Sequence, residues 1–312
     1  MSVFTVVEND ELSVWLQRYN LKLVSLEGIA AGVTNTNYFV TTTHGRFVLT
    51  LFETLTLEEL PFYLHLMSHL ALHGVACPSP LLDQQDQMVS MLANRPACLV
   101  SCLTGADVVA PTAEQCRAVG DMLATMHRAG ATFPHKMENP RGPHWWSLTA
   151  PDLYASMDPA DAESLRQEIH FQEQHRFSHL PRGVIHGDLF KDNVLIDGDK
   201  IAGFIDFYYA CNDVLIYDVA IALNDWARKE DGSLDDRLAR AFLDGYQSVR
   251  PFNAEEIEAW PLMLRAGALR FWCSRLLDQF NPMPGAMTYI KDPEEFRRLL
   301  ETHRQRTDFW LS

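Results

Sequence analysis

The chain has 312 residues, 47% of them apolar, enough for one large or two medium domains with packed cores. A formal charge of −15 with no Lys/Arg cluster argues against a nucleic-acid partner, because phosphate backbones demand grouped cations. No apolar run approaches the roughly 18 residues of a membrane span, the N-terminus lacks a basic segment followed by an apolar run, and the six cysteines show neither C-x-x-C nor zinc spacing; a reduced, soluble, cytoplasmic protein without a membrane partner is expected.

Asn9 or Asp10 can cap a first helix whose Leu12, Trp15, Leu16 and Tyr19 recur at helical spacing. The period then becomes strand-like: Leu21 to Ile29, a loop Ala30 to Thr36, Asn37 to Thr43, a His44-Gly45 turn, and Arg46 to Phe52. The loop holds Gly28 and Gly32, where backbone can approach a phosphate closely, and Gly32, Val33, Thr34 and Asn35 are its candidate phosphate contacts, although the G-x-G-x-x-G pattern is absent. Thr56 and Glu59 form a capping box for a helix through Leu60, Tyr63, Leu64, Met67 and Leu70, which Gly74 can end; Glu58 and Glu59 suit the helix dipole there. Cys77-Pro78-Ser79-Pro80 breaks the chain, and Met88 to Leu92 and Ala97 to Leu103 read as two more strands.

Thr112 starts a helix through Cys116, Val119, Leu123 and Met126, closed by Gly130, with His127 on its apolar side as a satisfied core histidine. Residues 131–151 carry too much Pro, Gly and Trp for regular structure, and one helix is expected from Asp152 to Phe177.

The segment VIHGDLFKDNVLIDGDKIAGFIDF follows, from Val184 to Phe207. It reads as a short strand, a His186-Gly187-Asp188 turn, a second strand Val194 to Ile196, a turn Asp197 to Lys200, and a third strand Ile201 to Ile205 ending at Asp206. Two acids and an amide, Asn193, are thus held at strand ends with their side chains free, which suits phosphoryl transfer. That reaction needs an acceptor hydroxyl aligned on the γ-phosphate and metal to meet the phosphate charge. Asp188 is placed to orient the hydroxyl, and Asn193 and Asp206 to hold Mg²⁺ through oxygen. After it, Leu215 to Arg228, Asp235 to Val249, Asn253 to Phe280 and Asp292 to Arg306 read as helices, the third kinked or divided at Pro261.

The step from Asp188 to Asn193 resembles the catalytic loop of protein kinases, and Asp206-Phe207 stands where that family has Asp-Phe-Gly. His-Gly-Asp in place of His-Arg-Asp, and Tyr208 in place of the last glycine, are similar to the aminoglycoside phosphotransferase and choline kinase group. NTNYFV (35–40), VLTLFE (48–53), RGPHWW (141–146), HGDLFKDNVL (186–195), IDFYYAC (205–211), YDVAIALNDW (217–226) and RFWCSRL (270–276) resemble, in order along nearly the whole chain, the homoserine kinases that share this fold. That resemblance implies an α+β, bilobal, protein-kinase-like fold: a small lobe at 1–103 with an antiparallel sheet plus helix, and a mainly helical large lobe at 104–312. It implies ATP and Mg²⁺ as cofactors, L-homoserine as the small-molecule partner, and backbone near Ser101 to Leu103 as the seat of adenine. Thr50 occupies the place of the third-strand lysine of kinases, a feature the homoserine kinases share.

The substrate's α-carboxylate calls for Arg or backbone donors and its ammonium for a carboxylate or aromatic face. Asp225, Trp226, Arg270 and Arg275 are candidates, with interhelical ion pairing and aromatic packing the alternative for each. Two other readings stay open: a kinase of the same fold acting on choline, methylthioribose or an aminoglycoside, and a non-catalytic nucleotide-binding protein. Oligomeric state is not legible.

Overall fold

The structure, a computed structural model, describes residues 5–29, 34–175, 177, 179–198, 200–281 and 291–311. The chain divides into two compact units, the first running to Thr104 and the second beginning at Gly105. The first contains α1 (Asn9–Leu16), β1 (Leu23–Gly28), β2 (Thr36–Thr42), β3 (Gly45–Leu51), α2 (Leu60–Leu72), β4 (Ser90–Leu92) and β5 (Arg95–Ser101). Its strands form one antiparallel sheet in the order β1-β2-β3-β5-β4. Burial alternates strictly along β2, so Tyr38 and Val40 meet Leu49 and Leu51 of β3 and the apolar stripe Leu12, Trp15 and Leu16 of α1 in one core. Only half of the expected box forms before α2: the Glu59 carboxylate accepts from the Thr56 N–H and from its hydroxyl, each at 2.9 Å, while the hydroxyl caps no backbone N–H and the helix starts at Leu60 behind Glu59.

The second unit contains α3 (Ala113–Gly130), α4 (Pro143–Tyr154), α5 (Pro159–Gln174), β6 (Arg182–Ile185), β7 (Val194–Asp197), β8 (Lys200–Phe204), β9 (Cys211–Val214), α6 (Leu215–Trp226), α7 (Asp236–Val249), α8 (Ala254–Phe280) and α9 (Glu294–Gln305). Every residue of α6 is buried, as expected of a helix that is apolar nearly all round and has other helices packed on it. Capping boxes at Thr112 with Gln115 and at Asn253 with Glu256 start α3 and α8. The backbones of α3 and α7 touch, because a Cβ at Gly120 would overlap the Phe242 carbonyl and one at Gly245 the Arg117 carbonyl.

Three local expectations are revised. Residues 131–151 are not wholly irregular: α4 starts at Pro143, in the first turn, where a missing N–H costs nothing. The helix expected over 152–177 is instead the end of α4 and a separate α5, opened by Asp158, whose carboxylate accepts from the Ala160 N–H. Strand β9 was not anticipated; only four residues long, it exists because β6 pairs with it. Helix α8 runs undivided through Pro261.

Candidate active site

The hairpin β7–β8 and the strand β6 carry the three residues singled out in the sequence, and all three lie in the second unit. Strand β6 ends at Ile185 and delivers His186-Gly187-Asp188. Asp218, in the first turn of α6, accepts from the N–H of His186 and of Gly187, each at 2.7 Å, and from His127 Nε2 at 3.0 Å. Burial would push the Asp218 carboxyl up, but His127, His186 and the Gly187 N–H outweigh it and hold it below the usual carboxylate range. His127 also bonds the Tyr246 hydroxyl at 2.7 Å, so it is the satisfied core histidine expected, here bracing the turn through Asp218.

Gly187 has φ +73°, and a Cβ there would lie 2.9 Å from the Tyr209 carbonyl oxygen, which is why the turn reads His-Gly-Asp. The His186 ring is fully buried; its Nδ1 accepts from the Asp188 N–H at 3.3 Å and its Nε2 donates to the Ile205 carbonyl at 3.0 Å. Burial lowers its pKa, in keeping with a neutral ring. Phe207 packs its own ring 4.7 Å from that of His186, tying the Asp206-Phe207 pair to the turn.

Asn193 ends a 3₁₀ turn over Lys191–Asn193. Its amide donates to the Asp188 carbonyl at 2.8 Å and to Asp188 Oδ2 at 3.2 Å, so its Oδ1 faces elsewhere. The Asn193 carbonyl accepts from the Ile205 N–H at 2.9 Å, which fixes the distance along the chain between Asn193 and Asp206. Asp206 sits in the left-handed region, at φ 60° and ψ 58°, a strained conformation for a side-chain-bearing residue and one that clusters at functional sites. Its side chain is exposed to solvent, yet the protein packed around the carboxyl raises it to about 6, Asp192 adding to the rise and the Tyr208 N–H and Lys291 opposing it. Asp188, half-buried, is raised to about 7 by burial first, with Arg270 pulling it down and Asp206 and Asp192 pushing it up.

The two acids on α6, Asp218 and Asp225, are seven residues apart, two helical turns or about 10 Å along one face. Asp225 accepts from the Lys191 N–H at 2.8 Å, and Trp226 Nε1 donates to the Leu189 carbonyl at 3.2 Å, so both are spent on the catalytic loop's backbone. Arg275 donates to the Asp292 carbonyl and to Glu295, both at 2.6 Å, and Glu295 also meets Arg228 at 3.1 Å. Arg270 differs: it is 3% exposed, donates to the Gly187 carbonyl, stacks 4.3 Å over Phe271, and its Nε has no partner among the described residues. Tyr209, beside it at 5.4 Å from ring to guanidinium, has its hydroxyl pKa raised by burial.

Asn193 Oδ1, not used by the amide's bonds to Asp188, and the Asp206 carboxylate are both oxygen donors, the ligand type that a hard divalent cation takes. Among the described residues no group of three His, Cys, Asp or Glu side chains could hold a metal by itself. In the first unit, Thr34 is half-buried and Asn35 is buried with no partner for its Oδ1 among the described residues; Gly32 and Val33 lie outside them. Ser101 exchanges backbone and hydroxyl bonds with Ser79, each at 2.9 Å, and Leu103 follows the last strand pair, half-buried. Sequence reasoning did not pick out Asp218, Tyr209, Asp192 or Lys291; the first three stood inside quoted motifs, whereas Lys291 has no local signature.

The description of the phosphotransferase enzyme family fits residues 25–252. A homoserine kinase of Neisseria meningitidis serogroup B is 53% identical over 301 residues, 96% of this chain and 99% of that one. Another, of Methylobacillus flagellatus, is 50% identical over 302 residues, 96% of this chain and 95% of that one. Among solved structures, an amicoumacin kinase in complex with AMP-PNP and Ca²⁺ superposes with TM-score 0.69 at 16% identity, covering 96% of this chain and 92% of that one. A spectinomycin phosphotransferase with ADP superposes with TM-score 0.68 at 13% identity, covering 95% and 94%. These distant structures share the kinase-like α+β fold read from the motifs, and the identities over nearly full length go further: the chain belongs to the phosphotransferase enzyme family and, within it, to the homoserine kinases.

Proposed function

We propose that the protein transfers the γ-phosphate of ATP to the side-chain hydroxyl of L-homoserine, giving O-phospho-L-homoserine and ADP. What supports this is the bond of the Asn193 amide to Asp188, on a loop whose backbone α6 holds and whose Asn193 carbonyl pairs with Ile205 beside Asp206, in a chain half identical to homoserine kinases. Asp188 accepts the hydroxyl proton and aligns the oxygen on phosphorus. Its raised pKa, about 7, suits a group that must take up a proton near neutrality. Asn193 and Asp206 hold Mg²⁺, which when bound neutralises charge on the nucleotide's phosphate tail. Arg270, buried beside Asp188 with donor capacity left over, takes the α-carboxylate. Asp225, Trp226 and Arg275 serve by fixing the loop and α9.

In the small lobe, residues 1–103, the loop from Gly32 through Val33 and Thr34 to Asn35 covers the phosphates, and the backbone at Ser101 to Leu103 receives adenine; residues 104–312 carry the chemistry. No helix among the described residues is long and apolar enough to cross a membrane, and the cytoplasm is the proposed location.

A coupled ADP-release assay with L-homoserine beside choline, L-serine and an aminoglycoside tests the assignment. Turnover on L-homoserine exceeding the others by at least about 10²-fold in kcat/KM is expected, since a site built for an α-carboxylate leaves its arginine unpaired with choline. Asp188→Asn is expected to lose about 10³-fold in kcat with nucleotide affinity kept. Equal turnover on choline would overturn the substrate, and an active Asp188→Asn the mechanism.

A further inference from the structure

Thr50, on β3 at the place of the kinase lysine, is buried and gives its hydroxyl to Asn37 on β2 at 2.8 Å. The basic residues up to Thr104 are Arg18, Lys22, Arg46 and Arg95. Each arginine is ion-paired within its own unit: Arg18 with Asp83 at 2.7 Å, Arg46 with Glu27 at 3.7 Å, and Arg95 with Glu53 at 3.1 Å. Lys22 precedes the Leu23 end of β1, which pairs with Thr42, whereas the loop of the candidate phosphate contacts leaves the Gly28 end, about 17 Å away at strand rise. Thr50 thus brings no charge to the place where the kinase scheme has its lysine, and Lys22 stands at the far end of β1 from that loop.

The second unit has a cation at the reacting end. Lys291, just before α9, holds its Nζ 2.7 Å from Asp192 Oδ2 and 5.6 Å from the Phe190 ring centre. Asp192 adjoins Asn193, whose amide reaches Asp188. The pair is open to water, with the lysine side chain 38% and the aspartate 50% exposed, so it is worth at most about 1 kcal/mol and the ammonium can leave Asp192 at little cost.

We propose that Lys291 supplies a cation to the γ-phosphoryl group, exchanging Asp192 for it during transfer. The inference rests on the kinase reading above. As the substrate oxygen bonds to the γ-phosphorus, the bond to the β,γ-bridging oxygen breaks and its electron pair leaves with ADP. The hydroxyl proton passes to Asp188, and Lys291 donates hydrogen bonds to the non-bridging phosphoryl oxygens without being consumed.

The test compares Lys291→Gln, Lys291→Arg and Asp192→Asn, each checked for folding by thermal melting. Lys291→Gln is expected to lose about 10²-fold in kcat with the KM for the alcohol changed less than about two-fold. Its affinity for AMP-PNP is expected to fall while its affinity for ADP, which lacks the γ-phosphate, stays, both read by fluorescence titration. Lys291→Arg is expected to recover most of the rate. Asp192→Asn, which removes the ion pair but keeps the ammonium, is expected to retain at least about ten times the kcat of Lys291→Gln. Equal losses in Lys291→Gln and Asp192→Asn, a raised alcohol KM with kcat intact, or parallel weakening of ADP and AMP-PNP would each overturn the proposal. Failure of homoserine as substrate would sink the proposed function alone, because the AMP-PNP and ADP titrations still decide the role of Lys291.

Discussion

Asp188 illustrates how one side chain couples chemistry to stability. Its carboxyl is raised to about 7 and that of Asp206 to about 6, both by burial first, while in the unfolded chain each titrates near 4. Between pH 4 and 7 the folded state therefore binds more protons than the unfolded one, and stability falls as pH rises through that window. Asp188→Asn removes part of this cost. Without divalent metal it is expected to melt above the wild type at pH 8, by ~1–2 kcal/mol after allowing for solvent at the carboxylate's rim, with the difference vanishing toward pH 4. A wild type melting equally high at pH 8 would mean that Asp188 is not desolvated. The two arginines of α8 separate in the same way. Arg270→Ala is expected to raise the KM for homoserine by about ten-fold or more and leave that for ATP nearly unchanged. Arg275→Ala, which frees Glu295 and the Asp292 carbonyl, is expected to lower the melting temperature with little change in either KM. Similar KM effects in both variants would contradict this division.

At the scale of elements, the site is a loop stretched between two carboxylates of one buried helix. Asp218 holds its start through two backbone N–H groups and Asp225 holds its middle through a third, with Trp226 adding a bond to Leu189. Because α6 is packed on all sides, those carboxylates have no freedom to drift, and the turn they hold inherits that rigidity. Asp218→Asn turns an acceptor-only group into one that presents its own N–H₂ to a neighbouring donor. It is expected to cost about 3 kcal/mol, seen as a lower melting temperature, and to reduce kcat more than either KM as Asp188 loses its fixed place. Unchanged stability would show that water replaces the lost acceptor.

At the scale of the whole molecule, metal dependence is the sharpest expectation. Chelation by EDTA is expected to abolish turnover, and Asp206→Asn to weaken Mg-ATP binding by about ten-fold or more, whereas ADP measured without metal binds both proteins alike. Comparable Mg-ATP affinity in wild type and Asp206→Asn would remove Asp206 from the metal site. Much of this was legible without coordinates. The Asp188-to-Asn193 step, the strand alternation of β2, and the caps of α3 and α8 are short-range features, set by backbone periodicity and by side chains within a few residues of each other. The overlooked strand β9 and the split between α4 and α5 failed for the opposite reason: β9 is strand only because β6 lies against it, Pro143, which read as a breaker, starts a helix, and Pro159, through which one helix was expected to run, starts another. The choice between Arg270 and Arg275 was equally out of reach. Both sit on α8 in nearly the same local sequence, and what distinguishes them is that Glu295 and Asp292, some 20 residues on, occupy one and leave the other with an unpartnered Nε. The linear chain by itself determined which residues can meet a phosphate, a metal and an alcohol, since that depends on side-chain chemistry at fixed spacing. Only the tertiary structure decided which charges remain available, because a buried or paired group is defined by partners that folding brings from elsewhere, as it brings Lys291 to Asp192 across 99 residues.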